Sequence, residues 1–294
     1  QLENLTNFAA IMDNRKSDII KIDVDAVLRQ RVPGLRKVLP GCAVRGIERL
    51  ICQDDMNRLL ESNHGKRDAD FCRGVLEELN VSLKVDGILP DPSHKRVVIV
   101  SNHPLGGLDG IAMIDWMCRY FRGNIHFLVN DLLMAIEPLR GVFLPINKHG
   151  RQSRQALNDI DNAMAGDNPI VIFPAGLVSR RGKGGDISDL EWKKMFITKA
   201  IQHKRDIIPA YFGGNNSAFF YNFAKWRKRL GVKFNIEMIL LPREVFKCRN
   251  RQFTLSFGKM IEWESLKKDS DPGHAAQKIK ETVYALAPKT EKYI

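Results

Sequence analysis

The stretch Val97–Gly110, which reads VVIVSNHPLGGLDG, decides the fold class. Its first four residues are a β-branched run of the kind that forms a buried strand. Pro104 and the pair Gly106-Gly107 predict a tight loop after that strand, and Asp109 stands where a helix would begin. A buried strand that leads through a short loop into a helix is typical of α/β proteins.

Strands and helices alternate in the prediction from residue 81 onward. Short apolar runs predict further strands, which include Ile125–Val129, Gly141–Ile146, Ile170–Phe173, Ile207–Phe212 and Phe234–Leu241. Amphipathic stretches between them, such as Arg154–Ala165, predict helices. This alternation predicts an α/β fold with a mixed central sheet flanked by helices.

The first 80 residues have a different character and predict a helical extension. Residues 26–51 carry six Lys/Arg against one acid among interleaved Leu, Val and Ile, and Pro33 and Pro40 divide the segment. Apolar residues at helical spacing predict a helix over Asp68–Leu79. The basic segment either lies in a membrane interface or packs on the main domain with its charges in water. We therefore divide the chain into a basic, amphipathic helical extension, 1–80, and a main domain, 81–294.

The charge of the chain indicates an anionic partner. The net charge is +12, and residues 180–251 hold 17 Lys/Arg against six Asp/Glu. Such a balance suits nucleic acid, an acidic carrier or an anionic membrane surface. No zinc-finger, helix-turn-helix or RNA-binding signature is present in the sequence, so we expect no nucleic-acid partner. Aromatic residues beside the basic ones at 219–226 suit a membrane interface, and the alternative is a solvated surface over buried rings.

Cysteine and histidine spacing predicts neither disulfides nor a metal site. The five cysteines are widely separated, and none forms a C-x-x-C pair. The seven histidines show no close pairing of the kind that zinc ligands need. No run approaches the roughly 18 apolar residues that cross a bilayer. We therefore expect no bound metal and no bound cofactor.

A histidine and an acid follow the first buried strand and predict the site. His103 lies at the carboxyl end of that strand, which is where ligand sites gather in α/β sheets. Asp109 can hold one imidazole nitrogen while the other takes a proton from a substrate hydroxyl. The alternative is that Asp109 only caps the helix and His103 only bonds the backbone of the turn.

Two features around this pair carry a family resemblance. Asn102-His103 is separated by five residues from Asp109, and the strand-like run 141–146 later leads into Asn147 and Lys148. These features resemble the first two motifs of the glycerolipid acyltransferase superfamily, the PlsC-like enzymes. The family has four residues between its His and Asp, and the glycines of this loop can absorb the extra one. The second family motif ends in Arg, and Asn147 or Lys148 stands near that place.

Two further matches follow in the same order. The run Phe173–Arg181, FPAGLVSRR, resembles the third family motif, Phe-Pro-Glu-Gly followed by Ser and Arg, with Ala175 in place of the Glu. Ile207-Ile208-Pro209 resembles the fourth, a β-branched run that ends in Pro. Each motif is short, but four in order at the ends of predicted strands are specific. The chain is therefore identified as a member of the superfamily over about residues 81 to 260.

The resemblance implies an O-acyltransferase that moves a fatty acyl group from a thioester to the hydroxyl of a lysolipid. His103 would be the general base and Asp109 its orienter, and amides of the Gly176 turn would face the oxyanion. The substrate-binding candidates are Asn102, Asn147, Lys148, Gly176, Ser179, Arg180 and Arg181. The implied partners are an acyl-carrier protein or coenzyme A thioester, a lysolipid acceptor and an anionic membrane surface. The implied location is peripheral, at the cytoplasmic face of the membrane.

Ala175 bears on the identity of the acceptor. The family uses the second-motif Arg and the third-motif Glu to hold glycerol phosphate, and both are changed here. The cationic run Ser179-Arg180-Arg181 suits a carboxylate, so we favour an amino-acid-containing lysolipid, as in glycine-lipid and ornithine-lipid enzymes. The alternatives are a 1-acylglycerol-3-phosphate (lysophosphatidic acid) acyltransferase and a catalytically inactive lipid-binding relative.

Overall fold

A computed structural model describes residues 21–31, 33–123, 125–146, 154–182, 184–232 and 235–288. The candidate residues Asn147 and Lys148 lie outside these ranges. No helix within the described ranges is long and apolar enough to cross a membrane.

The described part of the chain has nine strands, and seven of them form a sheet at the centre of the fold. The strands are β1 (Ser82–Gly87), β2 (Val97–Ser101), β3 (His126–Asn130), β4 (Phe143–Ile146), β5 (Ile170–Ile172), β6 (Arg180–Arg181), β7 (Ile187–Ser188), β8 (Asp206–Phe212) and β9 (Gln252–Phe257). Their order in the sheet is β1-β9-β8-β2-β5-β3-β4, and β6 pairs separately with β7. Neighbouring strands of the large sheet run parallel except for the antiparallel pair β8–β9. The predicted mixed sheet is confirmed.

Helices cover both faces of this sheet. They are α1 (Val24–Arg31), α2 (Pro33–Val38), α3 (Gly41–Leu50), α4 (Gln53–Ser62), α5 (Asp68–Glu78), α6 (Leu108–Tyr120), α7 (Arg154–Ala165), α8 (Met195–His203), α9 (Ala218–Arg229), α10 (Leu241–Phe246), α11 (Trp263–Leu266) and α12 (Pro272–Ala285). Short 3₁₀ helices span Asp131–Ala135, Glu137–Leu139 and Ile236–Leu240.

The β-branched run of β2 lies in the middle of two hydrophobic clusters. Because successive side chains of a strand point to opposite faces, Val97 and Ile99 join one cluster, and Val98 and Val100 join the other. The first cluster includes side chains of α5 and α6, and the second includes side chains of α8 and α12. Every residue of β2 is buried, which explains why its sequence is a continuous apolar run.

The helical prediction for the N-terminal region is confirmed where the structure describes it. Pro33 begins α2 and Pro40 precedes α3, as expected of a residue that fits only the start of a helix. Leu28 and Val44 of this region are buried in the same cluster as Val97 of β2. Val38 stays 77% exposed. The region therefore packs on the sheet domain and still presents apolar surface to the outside.

One predicted strand is wrong. In the described part of Phe234–Leu241, residues Ile236–Leu240 form a 3₁₀ helix that continues into α10. Pro242 lies in the first turn of α10, where its missing N–H has no intrahelical partner to lose. The apolar run reflects packing of Leu240 against the buried Phe220 of α9, and not a place in the sheet.

Candidate functional site

Asn102 fixes the backbone that carries His103. Its Oδ1 accepts a hydrogen bond from the Phe212 amide at 2.7 Å, and its Nδ2 donates to the Phe212 carbonyl at 2.9 Å. These two bonds tie the end of β2 to the end of β8, and the side chain is buried. The asparagine predicted to bind substrate thus directs its polar atoms at the neighbouring strand.

The predicted pair of His103 and Asp109 lies together at the carboxyl end of β2. Nδ1 of His103 is 3.0 Å from Oδ2 of Asp109, and Asp109 is fully buried. The carboxylate also accepts hydrogen bonds from the backbone amides of Leu105 at 2.9 Å, Gly106 at 3.2 Å and Gly110 at 2.8 Å. The N-cap residue of α6 is Gly107, and Asp109 lies in the first turn of the helix. Asp109 is therefore not the capping residue of α6.

These contacts keep Asp109 ionised despite its burial. Burial by itself raises the pKa of the carboxyl, but the nearby His103 and the donated amide hydrogen bonds outweigh it and hold the pKa below its ordinary value. A buried carboxylate held in this way can orient an imidazole and stabilise its protonated form.

The loop between His103 and Asp109, one residue longer than in the family motif, contains a glycine in the left-handed backbone conformation. Gly106 has φ +80, a conformation that side chains rarely adopt. A Cβ at this position would lie only 3.0 Å from Leu241 of α10. The extra residue relative to the family motif is thus accommodated by a backbone turn that brings Asp109 back to His103.

The imidazole of His103 is held on a second side by an aromatic ring. Phe173 follows β5, and its ring stacks on the imidazole with centroids 4.2 Å apart and planes at 27°. The His103 side chain is 17% exposed. Nδ1 of the imidazole faces Asp109, and Nε2 is the ring nitrogen on the side away from this carboxylate.

The third-motif turn forms after β5 as the sequence indicated. The Gly176 amide donates to the Phe173 carbonyl at 2.9 Å, and Gly176 has φ +61. Ala175 is buried in the second cluster, where a carboxylate would have no place among apolar side chains. The Gly176 N–H, one of the amides predicted to face an oxyanion, donates its hydrogen bond within the turn.

Asp189, which the sequence analysis missed, organises the loop behind His103. Its Oδ1 accepts from the His103 amide at 3.2 Å and from the Ser179 hydroxyl at 2.6 Å, and its Oδ2 accepts from Trp192 Nε1 at 2.9 Å. The Asp189 amide donates to the Tyr284 hydroxyl at 2.7 Å. No sequence pattern could have shown this, because His103 and Tyr284 are 86 and 95 residues away in the chain.

We expect Asp189→Ala to destabilise the fold by about 2–4 kcal/mol, because it leaves buried donors of Ser179 and Trp192 without an acceptor. Asp189→Asn keeps one acceptor oxygen and is expected to cost less. Urea unfolding measures both. Asp186→Ala, which removes an exposed acid from the same segment, is the control. Equal stability of Asp189→Ala and the control would contradict this role.

Arg180 lies in a buried cluster that has more positive than negative charge. Its Nη2 is 2.9 Å from Glu237 Oε1, and Arg227 Nε is 2.6 Å from Glu237 Oε2. Both arginines are 7% exposed and Glu237 is fully buried. Burial lowers the pKa of Arg180. The charge of Glu237 opposes this shift, and the charge of Arg227 adds to it. Two guanidinium groups therefore share one carboxylate beside Ser179.

Arg181, by contrast, faces outward. It is exposed, and its guanidinium lies 5.3 Å from the ring centroid of Tyr221. The backbone links this segment to the His103 loop, since the Ser179 amide donates to the His103 carbonyl at 2.8 Å. Of the predicted binding residues, the structure thus brings Ser179 and Arg180 next to the His103 loop and leaves Arg181 at its outer side.

The chain is similar to known acyltransferases over most of its length. A family model described as "Acyltransferase" matches residues 26–290. A lyso-glycine lipid O-acyltransferase of Phocaeicola vulgatus is 41% identical over 268 residues, which cover 91% of this chain and 96% of that protein. A protein of the same name from Bacteroides thetaiotaomicron is 43% identical over 265 residues, or 90% and 97% of the two chains.

A solved structure resembles the chain more distantly. The 1-acyl-sn-glycerophosphate acyltransferase PlsC of Thermotoga maritima aligns with 78% of this chain and 86% of its own, at 19% identity and a TM-score of 0.40. The family model and the two relatives each span the segment that holds the His103–Asp109 pair. The chain therefore belongs to the acyltransferase family and is an enzyme that transfers acyl groups.

Proposed function

We propose that this enzyme moves a fatty acyl group from an acyl thioester to a hydroxyl of an amino-acid-containing lysolipid, such as a lyso-glycine lipid. The observation that carries the proposal is the His103–Asp109 pair at 3.0 Å, at the carboxyl end of a buried strand. The two relatives named as lyso-glycine lipid O-acyltransferases support the choice of acceptor.

The pair supplies the proton transfers that this reaction needs. Nε2 of His103 takes the proton of the acceptor hydroxyl as its oxygen attacks the thioester carbonyl. Asp109 holds the opposite nitrogen and stabilises the imidazolium that forms. Collapse of the tetrahedral intermediate breaks the carbon–sulfur bond, and the imidazolium returns the proton to the leaving thiolate. The products are an ester and a free thiol, and no enzyme nucleophile is required.

The buried arginines suit an acceptor that carries a carboxylate. Arg180 and Arg227 share Glu237, so an anionic ligand would balance the remaining charge. A guanidinium binds a carboxylate well because its donors match the two oxygens. Because residue 175 is an alanine, the third motif contributes no carboxylate that would compete with the acceptor for Arg180.

The donor and the surroundings follow from the charge. We propose an acyl-carrier protein or coenzyme A as the thioester carrier, because both are acidic and the chain carries a net charge of +12. The same charge favours an anionic membrane surface, and we propose that the enzyme acts there from the cytoplasmic side as a peripheral protein.

A thioester-consumption assay tests the proposal. Purified protein receives a long-chain acyl-carrier protein or acyl-coenzyme A and one of two acceptors, an N-acyl amino acid with a free 3-hydroxyl or lysophosphatidic acid. We expect faster turnover with the amino-acid lipid. Turnover only with lysophosphatidic acid would keep the chemistry and overturn the acceptor. No turnover with either acceptor and either donor would favour an inactive lipid-binding relative.

Replacing Arg180 with methionine is expected to raise KM for a carboxylate acceptor by about 10- to 100-fold, the size of a lost charge-assisted hydrogen bond. Glu237 keeps Arg227 as its partner, so the fold should tolerate the change. An acceptor whose carboxylate is replaced by a carboxamide should have the same KM with the wild type and with Arg180→Met. Arg181→Met removes the same charge from the exposed neighbour and should change KM less than about threefold. Equal effects of the two substitutions would contradict the role of Arg180.

A further inference from the structure

An apolar stripe runs along the outside of α9. Phe219, Phe223, Trp226 and Leu230 are spaced by four, three and four residues, which places them on one side of a helix. Phe219 is 45% exposed, Trp226 65% and Leu230 72%, and these are three of the eight large hydrophobic residues exposed in the described part of the chain. We call these four residues the α9 stripe. Clustered exposure of this kind marks an interaction surface.

The charge around the α9 stripe is mainly positive. Residues 216–232 contain four Lys/Arg and no acid. Two cations lie over the ring of Phe219: Arg243 of α10 at 4.9 Å from its centroid, and Lys247, the residue that follows α10, at 5.9 Å. Glu237 is buried and pairs with Arg180 and Arg227, and Glu244 is buried and pairs with Lys247. The exposed Lys225, Lys228 and Arg229 therefore keep the surface beside the stripe positive.

The α9 stripe begins beside the catalytic loop. Ser217 caps α9 by accepting a hydrogen bond from the Phe220 amide at 3.3 Å. The preceding residue, Asn216, donates to the Pro104 carbonyl at 3.2 Å, one residue after His103. The first turn of α9 is therefore fixed to the loop that holds the base.

We infer that the α9 stripe, together with Arg243 and Lys247, docks the enzyme on an anionic lipid bilayer. Aromatic rings sit at headgroup level, and cations beside them meet the acidic headgroups. The inference rests on the proposed function in one respect, since a lipid acceptor must reach the site from a membrane.

Vesicle binding and tryptophan quenching test the docking surface. The full chain is floated with vesicles of phosphatidylglycerol and phosphatidylcholine, or of phosphatidylcholine alone. We expect Trp226→Ala/Leu230→Ala to weaken partitioning into the anionic vesicles by about 10- to 100-fold. The control, Ile88→Ala/Leu89→Ala, removes exposed apolar residues from another segment and should leave binding unchanged. Brominated lipid should quench part of the tryptophan fluorescence of the wild type. In Trp226→Phe, that quenched part of the signal should be missing.

Activity separates a failed docking surface from a failed function. With a short-chain acceptor dissolved as monomers, the double variant should turn over at the wild-type rate. With acceptor embedded in anionic vesicles, its rate should fall by the same factor as its binding. Unchanged vesicle binding, or binding lost equally in both double variants, would overturn the docking surface. Inactivity of wild type on the monomeric acceptor would instead count against the proposed function.

Discussion

His103→Ala is expected to lower kcat by about 10³-fold or more, while KM for both substrates changes little. General acid–base catalysis by a positioned group contributes about 10²- to 10⁴-fold. The imidazole here is held by Asp109 at 3.0 Å and by the stacked ring of Phe173, so alanine removes the proposed proton acceptor without opening the core. Steady-state thioester release measures the effect.

Asp109→Asn should reduce kcat by about 10²- to 10³-fold, because the amide no longer stabilises the imidazolium or fixes its tautomer. The double variant with His103→Ala should be no slower than His103→Ala alone, since the two residues act as one unit. Asp115→Asn is the matched control, an acid of the same helix that pairs with Arg73 and Arg119 at the surface.

Additive losses in the double variant would contradict a base and its orienter. So would an Asp109→Asn enzyme as active as the Asp115→Asn control. Circular dichroism of each variant distinguishes a catalytic loss from unfolding, which matters because Asp109 accepts three backbone hydrogen bonds.

Arg205→Met is expected to destabilise the protein by about 3–5 kcal/mol, the cost of breaking a buried charged network. Arg205 is fully buried and donates to backbone carbonyls, which are those of Val97, Ala163, Met164, Gly166 and Asn168. Burial lowers its pKa to about 10, so it stays charged at neutral pH. Three of these carbonyls lie at the end of α7, where a helix leaves them unpaired and favours a cation.

The thermal midpoint checks this prediction, and a shift of about 2–4 °C per kcal/mol is expected for a chain of this size. Arg96 provides the control. It binds the carbonyls of Ala165 and Gly166 from a partly exposed position, and its pair with Asp167 lies at the surface. Arg96→Met should cost about 1 kcal/mol or less. Equal shifts for the two arginines would show that burial of the network does not matter.

The local part of the site could be read from the sequence. A β-branched run, two glycines and an acid six positions after a histidine predicted a strand, a loop and a helix, and each forms where expected. The same pattern placed His103 next to Asp109, because only five residues separate the two in the chain. Short-range chemistry of this kind is encoded in adjacent residues.

The distant part could not be read. Asp189 and Glu237 meet His103 and Arg180 only because the sheet brings separate loops to one edge, and neither acid lies in a motif. The error at 236–240 has the same origin. An apolar run records burial, and burial against α9 produces the same pattern as burial within a sheet. Tertiary packing decides between the two.

Product analysis tests the central claim most directly. Wild type and His103→Ala receive an isotope-labelled acyl thioester and a lyso-glycine lipid, and the lipids are examined by mass spectrometry before and after mild alkaline hydrolysis. We predict a labelled product of wild type that alkali returns to the starting lysolipid, as an ester on the hydroxyl requires, and no such product from His103→Ala. Label that resists alkali, label found only in free fatty acid, or equal product from His103→Ala would contradict the account.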